Sequence, residues 1–149
     1  MSRRISYVKI APDTVEALTA GGASLKKTTI DEKLRALVEL RTSQINGCAY
    51  CVDMHSQEAR KAGETQQRLD CLVVWRETTL FDDRERAALA WAEAVTRVAE
   101  TGVPGDVYNE VCRHFSDREV VDLTHIVALM NAWNRMSISF KNVPAKRGE

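Results

Sequence analysis

A chain of 149 residues holds one ordinary domain and can bury a core of its own. Apolar residues make up 44% and charged residues 28%, the balance of a folded soluble protein and not of a disordered one. The formal net charge is zero, so the overall balance argues against nucleic acid or an anionic membrane as a partner.

No apolar run approaches the roughly 20 residues of a membrane span. The N-terminal Met-Ser-Arg-Arg-Ile-Ser-Tyr-Val-Lys-Ile lacks the apolar stretch of a secretory signal. Both features predict a cytoplasmic protein, in which thiols are normally reduced and a disulfide is transient. Four cysteines, at 48, 51, 71 and 112, are too few and too uneven for a stapled scaffold. An active dithiol or a metal site is the better starting point.

Taken in order, residues 1–11 are mixed, and the alternation of Ile5, Tyr7 and Ile10 predicts a lone extended arm. Pro12-Asp13 opens a short helix through Leu18, which Gly21-Gly22 should end. Thr29-Ile-Asp-Glu32 has the form of a capping box, and behind it Ile30, Leu34, Leu37, Val38 and Ile45 share a helical face. That helix should run to about Gln44 and stop at Asn46-Gly47. A second starts near Cys48 and runs to Lys61, with Gly63 as terminator, and Leu69 to Trp75 predicts a third, short one. Asp82-Asp-Arg-Glu85 starts a helix whose stripe of Ala87, Ala88, Trp91, Ala94, Val95 and Val98 ends near Gly102. Pro104 begins another, with Val107, Tyr108, Val111 and Phe115 as buried candidates. Ser116-Asp-Arg-Glu119 caps the last long helix, which carries Val120, Leu123, Val127, Met130, Ala132, Trp133 and Met136 at helical spacing, and residues 141–149 read as frayed. The pattern is an all-α, single-domain bundle of about six or seven helices over 1–149, with no β-α-β unit of the kind a thioredoxin-like C-x-x-C requires.

The chemistry concentrates between Glu39 and His55. Asn46-Gly47 breaks one helix just before Cys48, which places both cysteines in the first turn of the next, where exposed N–H groups and the helix dipole favour a thiolate. Residues i and i+3 share a face, so Cys48 and Cys51 can close a disulfide after modest adjustment. His55 lies one turn beyond Cys51, where an imidazole can take the thiol proton directly or through a water. This is the minimal equipment for reversible two-cysteine redox chemistry. Two plainer readings stand beside it: half of a zinc site, with Cys48, Cys51 and His55 needing a fourth ligand that His114 or Cys112 would have to supply, or two inert buried thiols.

Other residues carry weaker signals. Tyr50 and Asp53 flank the thiols and are candidates to line a pocket. Trp75, Trp91 and Trp133 read as core or interface. His114 sits near a helix C-terminus, where a cation is favoured, and His125 beside an apolar stripe reads as a hydrogen-bonded core or interface histidine. Cys71 and Cys112 behave as small hydrophobes. The wide apolar coverage of the first and last long helices predicts a homo-oligomer.

The run Ser43-x-x-Asn46-Gly47-Cys48-x-x-Cys51-x-x-x-His55, followed by Ala59-Arg-Lys-Ala-Gly63, resembles the alkylhydroperoxidase D-like (AhpD-like) branch of the carboxymuconolactone decarboxylase family. The match is specific over residues 30–65, the expected redox core. It extends more weakly through Trp75-Arg76-Glu77-Thr78, Arg84 to Trp91 and Asn131 to Arg135. The resemblance implies an all-helical fold assembling as a dimer, trimer or hexamer, and a cofactor-free peroxidase with no metal. It implies that Cys51 attacks the peroxide and becomes a sulfenic acid, that Cys48 closes the disulfide and meets the reductant, and that His55 and an upstream glutamate relay the proton. The electron donor it implies is a dithiol, a lipoyl-bearing protein or a thioredoxin-like donor. In the decarboxylase branch the cysteine pair is generally missing, so its presence argues against lactone decarboxylation.

The chain departs from the family pattern in one place. The glutamate expected twelve residues before the first cysteine is Ala36 here, and the nearest carboxylate is Glu39. Glu39 points away from the Leu34/Val38/Ile45 stripe, which fits either a relay role or a solvated surface residue. Arg41 falls within the stripe and should be buried with a carboxylate partner or lie along an interface. Two rivals remain: a decarboxylase-like or lactone-processing enzyme on the same fold, and a non-enzymatic redox-sensing or zinc-bound interaction protein.

Overall fold

In a computed structural model, which describes residues 3–146, the elements are α1 (Tyr7–Ile10), α2 (Pro12–Ser24), a 3-10 turn (Leu25–Lys27), α3 (Glu32–Asn46), α4 (Ala49–Lys61), α5 (Gln66–Cys71), a 3-10 stretch (Leu72–Glu77), α6 (Asp83–Thr96), α7 (Val98–Thr101), α8 (Gly105–His114) and α9 (Asp117–Ser139). The fold is all-α, with no strand among the described residues. The count exceeds the expected six or seven because the single turns α1 and α7 have no apolar periodicity long enough to read.

Helix α3 is the axis, packing against α4, α6 and α9. On one side Leu34 and Val38 join Ala88, Trp91, Val111, Leu123, Ile126 and Val127. On the other Leu37 and Leu40 join Ala59, Leu69, Leu72, Trp75 and Leu89. Leu37, Leu40, Leu72 and Leu89 are fully buried, each stabilising the fold by about 1.5–3 kcal/mol. A helix enclosed on this many sides must also bury polar residues, and α3 buries Glu39, Arg41, Thr42 and Ser43. Such groups are costly without partners, and the Thr42 hydroxyl is left without a hydrogen bond.

Arg41 has its partner. Its Nε and Nη2 each reach Oε1 of Glu93 at 2.8 Å, and Trp75 Nε1 donates to the same oxygen at 2.9 Å while Arg76 donates to the other. Burial works to raise the Glu93 carboxyl, but the bonds from Trp75, Arg76 and Arg41 outweigh it and hold the group below the ordinary glutamate value. This knot ties α3, α6 and the 3-10 stretch together.

The expected capping box at Ser116/Glu119 forms, and the helix start expected at Asp82 is closed by a box with Glu85 as well. The one expected at Thr29 does not form: Asp31 caps α3 by accepting from the Leu34 N–H at 2.9 Å, and Thr29 gives its N–H and hydroxyl to Asp122 on α9. Nor does the first segment extend. Residues 7–10 form a helical turn held by Tyr7 stacking on Phe140 at 5.2 Å and by Asn142 donating to the Tyr7 hydroxyl. Helix α2 continues through Gly21-Gly22 to Ser24, because Gly21 is a contact glycine: a Cβ there would lie 3.0 Å from Cδ1 of Leu129 on α9. Tyr108 is exposed and not a core residue, because α8 buries Val111 instead, with Phe115 buried just beyond its end. Of the residues expected to fray, 141–146 lie outside any helix and 147–149 lie outside the described residues.

Replacing Glu93 by alanine leaves the Arg41 guanidinium buried without a counter-charge. Urea unfolding should show a loss of about 3–5 kcal/mol, against an effect near zero if the pair were a solvated surface bridge.

Candidate active site

Helix α3 ends at Gly47, whose φ of 69° is the left-handed conformation that glycine adopts without strain. The Cys48 N–H turns back to the Ser43 carbonyl at 3.1 Å, and α4 begins on the next residue. Asn134 of α9, fully buried, clamps this turn by donating to the Ser43 hydroxyl at 3.1 Å and accepting from Asn46 at 2.8 Å. Asn46 donates to Asn131 as well, at 3.0 Å. The chain therefore reverses within two residues, and α4 packs back along α3.

Cys48 occupies the N-cap of α4, where its sulfur accepts the Cys51 N–H at 3.3 Å, and the two cysteines are joined as a disulfide with Cα atoms 5.3 Å apart. Both are buried, Cys48 to 1% and Cys51 to 2% exposure, more deeply than a helix start implies. The reason is the reversal, which turns the side of the α4 start that carries both cysteines toward α3 and α9 while Ala49 and Tyr50 stay exposed.

Cys51 nevertheless lines a cavity of about 630 Å³. His55, Glu39, Glu58, Tyr50, Met54 and Ala36 line it from α3 and α4, Leu129, Met130 and Trp133 from α9, and Val15 and Leu25 from the N-terminal part of the chain. Trp133 thus lines the pocket and is only partly buried, not a core residue. Asp53 is not among the lining residues and its carboxylate accepts from Gln57 at 3.2 Å.

His55 is buried between two carboxylates. Its Nδ1 stands 2.7 Å from Oε2 of Glu58 and 3.7 Å from Oε2 of Glu39, while Nε2 is buried with no hydrogen-bond partner. Glu39 is no surface residue: it is 7% exposed, because its face of α3 is the one α4 covers. Burial pushes its carboxyl above the ordinary value, against the pull of His55 and of Arg35, whose Nε lies 4.0 Å away. Glu58 is half-exposed, and the hydrogen bond from His55 draws its carboxyl below the usual range. Sequence reasoning passed over Glu58, although its i+3 spacing from His55 was a readable signal.

Neither other histidine joins the site. His114 pairs with Glu110 on α8 at 3.2 Å, and His125 is exposed, bonded to Ser24 at 2.8 Å, and not a core residue. Cys71 and Cys112 are partly buried free thiols. Among the described residues, the set of ligand atoms close enough for a cation is Glu39, His55 and Glu58, within 4.8 Å of one another, and not the cysteines with His114 or Cys112. This donor set suits a proton better. Glu58 already takes the Nδ1 position, and a metal there would leave an Nε2–H buried without an acceptor.

Residues 12–94 match the carboxymuconolactone decarboxylase family. YdfG of Bacillus subtilis strain 168, itself uncharacterised, is 40% identical over 147 residues, covering 99% of this chain and all of that one. The crystal structure of ATU0492 from Agrobacterium tumefaciens, a protein of unknown function placed with the antioxidant-defence protein AhpD, superposes with a TM-score of 0.94. It is 38% identical, over 97% of this chain and all of the other. An alkylhydroperoxidase AhpD core from Ralstonia eutropha JMP134, a peroxidase-related protein, shares the fold at a TM-score of 0.82 and 24% identity, over 93% of this chain and 74% of that one.

The raised Glu39 carboxyl has a consequence for stability. Its contribution is fully present below the unfolded value of 4.5 and is lost as pH rises through the higher folded value, because the unfolded chain ionises first. Glu39→Gln removes that titration. Its stability relative to wild type should therefore climb as pH rises above 4.5 in urea unfolding, whereas parallel curves would place Glu39 in a solvent-like environment.

Proposed function

This chain belongs to the carboxymuconolactone decarboxylase family, and from that membership and the geometry of its site we propose that it is a thiol-dependent alkyl hydroperoxidase. The observation that carries the reading is the presence of Cys51, bonded to Cys48, and a buried His55 on the wall of one cavity. The structural likeness to the AhpD-placed protein of Agrobacterium supports it.

In the reduced enzyme His55 takes the proton of the Cys51 thiol. The thiolate attacks the distal peroxide oxygen, the O–O bond breaks, and the departing alkoxide leaves as the alcohol once protonated. Cys51 is then a sulfenic acid. The Cys48 thiol displaces its hydroxyl as water and the disulfide closes, two electrons having passed from the thiol pair to the peroxide. A dithiol reductant attacks the disulfide, passes through a mixed disulfide and leaves oxidised. Glu39, buried and biased toward its protonated form, is suited to supply the proton the alkoxide needs. The apolar walls at Val15, Leu25, Met54, Leu129 and Trp133 suit an alkyl chain on the peroxide.

The burial of both sulfurs bears on the reductant. A slender dithiol arm of the lipoyl type can enter the cavity and meet Cys51, whereas a cysteine on a folded thioredoxin-like surface meets a covered Cys48. The lipoyl donor is therefore our choice of partner. No helix is long and apolar enough to cross a membrane among the described residues. A cytoplasmic setting and a homo-oligomeric assembly complete the proposal.

Cumene hydroperoxide consumption with dihydrolipoamide tests the roles. Cys51→Ser should lose at least about 10³-fold in rate, and Cys48→Ser should stop after one oxidation with a sulfenic acid that dimedone traps at Cys51. Unchanged turnover in both variants would contradict the thiol mechanism and leave the cysteines incidental. Inert wild-type thiols would favour a non-enzymatic role.

A further inference from the structure

Glu58 has no part in the reaction as set out above. It lies one turn beyond His55 on α4 and keeps its carboxylate 2.7 Å from Nδ1 of that ring. The same hydrogen bond holds Glu58 ionised below the usual range, against a partial burial that works the other way. A carboxylate can only accept, so the shared hydrogen sits on Nδ1 and the neutral ring presents a bare lone pair at Nε2.

That nitrogen is the one that matters for Cys51. It is buried and has no hydrogen-bond partner, on a ring that lines the same cavity as the sulfur four residues earlier on the same helix. A buried acceptor left unpaired in the oxidised protein is explained if its partner, a thiol proton, exists only in the reduced one. Glu39 cannot do this work. At 3.7 Å from Nδ1 it is beyond hydrogen-bond reach.

We propose that Glu58 is the positioning residue of the proton relay: it selects the His55 tautomer whose Nε2 receives the Cys51 proton, and it neutralises the imidazolium that forms. The proton moves from Sγ to Nε2, leaving a thiolate in the cavity and an ion pair between Nδ1–H and Glu58. The inference rests on the proposed role of His55 as the base for Cys51, but not on a peroxide being the substrate.

The charged groups around the ring are Glu39 and Arg35 from α3 and Glu58 and Lys61 from α4, with Arg3, Lys26 and Glu32 also around the cavity. Helix α9 faces it with Met130, Trp133 and Ser137, none of which titrates in this range. Among these groups, only Glu58 bonds the imidazole directly among the described residues.

The test measures alkylation of Cys51 by iodoacetamide in the reduced full-length chain, followed by peptide mass, across pH. Wild type is compared with Glu58→Ala and Glu58→Gln, all first matched by thermal unfolding. This readout needs no peroxide turnover, so it remains decisive for Glu58 even if the peroxidase reading fails. Near neutral pH, Glu58→Ala should react about 10–100-fold more slowly, the loss typical of an orienting partner. Glu58→Gln, which keeps an acceptor without the charge, should fall between. Above the ordinary thiol value of about 8.5 the three rates should converge, because hydroxide then forms the thiolate without the imidazole. Equal rates for wild type and Glu58→Ala at neutral pH would overturn the proposal, as would a deficit that persists unchanged into alkali.

Discussion

The reversal at Gly47 is the constraint on which the rest of the molecule depends. One left-handed residue lets α4 start immediately after α3 and lie back along it. That return brings His55 of α4 against Glu39 of α3 and turns both cysteines away from solvent. Asn134 holds the turn from α9 by bonding both Ser43 and Asn46, two contacts that an apolar residue there could not make. The polar load that this geometry buries is large for one helix, and the Arg41–Glu93–Trp75 knot on the far side of α3 shows the same solution: charges are kept inside by bonding them.

The two carboxylates around His55 then become different chemical objects. Glu39 is enclosed, and desolvation favours its neutral acid form. Glu58 reaches partly into solvent and is bonded to the ring, which favours its anion. Two groups of one type whose environments push them apart can divide acid and base duties between them. The thiols feel opposing pressures as well. Burial in apolar surroundings disfavours a thiolate, while the α4 N-terminus and an imidazole one turn away favour it.

Much of this could be read from the residues. The stop at Asn46-Gly47, the start at Cys48 and the capping pairs Asp82/Glu85 and Ser116/Glu119 are local signals, set by backbone hydrogen bonds within a few residues, and they survive folding. What failed were features decided by distant packing. Gly21-Gly22 looks like a stop until Leu129 is laid against it, and Thr29 looks like a cap until Asp122 claims its hydrogens. Glu39 looked ambiguous because a helical wheel identifies the apolar face but not which polar face a neighbouring helix covers. Arg41 was legible for the opposite reason, since a charge inside an apolar stripe must find a partner, and it found Glu93. Glu58 was missed although its spacing was visible, because glutamate on a helix is ordinarily solvated and only the buried ring gives it a task.

The coupling of Cys51 to His55 is best tested by following thiolate absorbance in the ultraviolet as the reduced protein is titrated, for wild type and for His55→Asn. The expected result is one thiol in wild type that ionises clearly below the ordinary value of about 8.5 and moves to or above it in the variant. Two thiols titrating together near or above that value in both proteins would mean that burial wins and that the imidazole does not activate the cysteine.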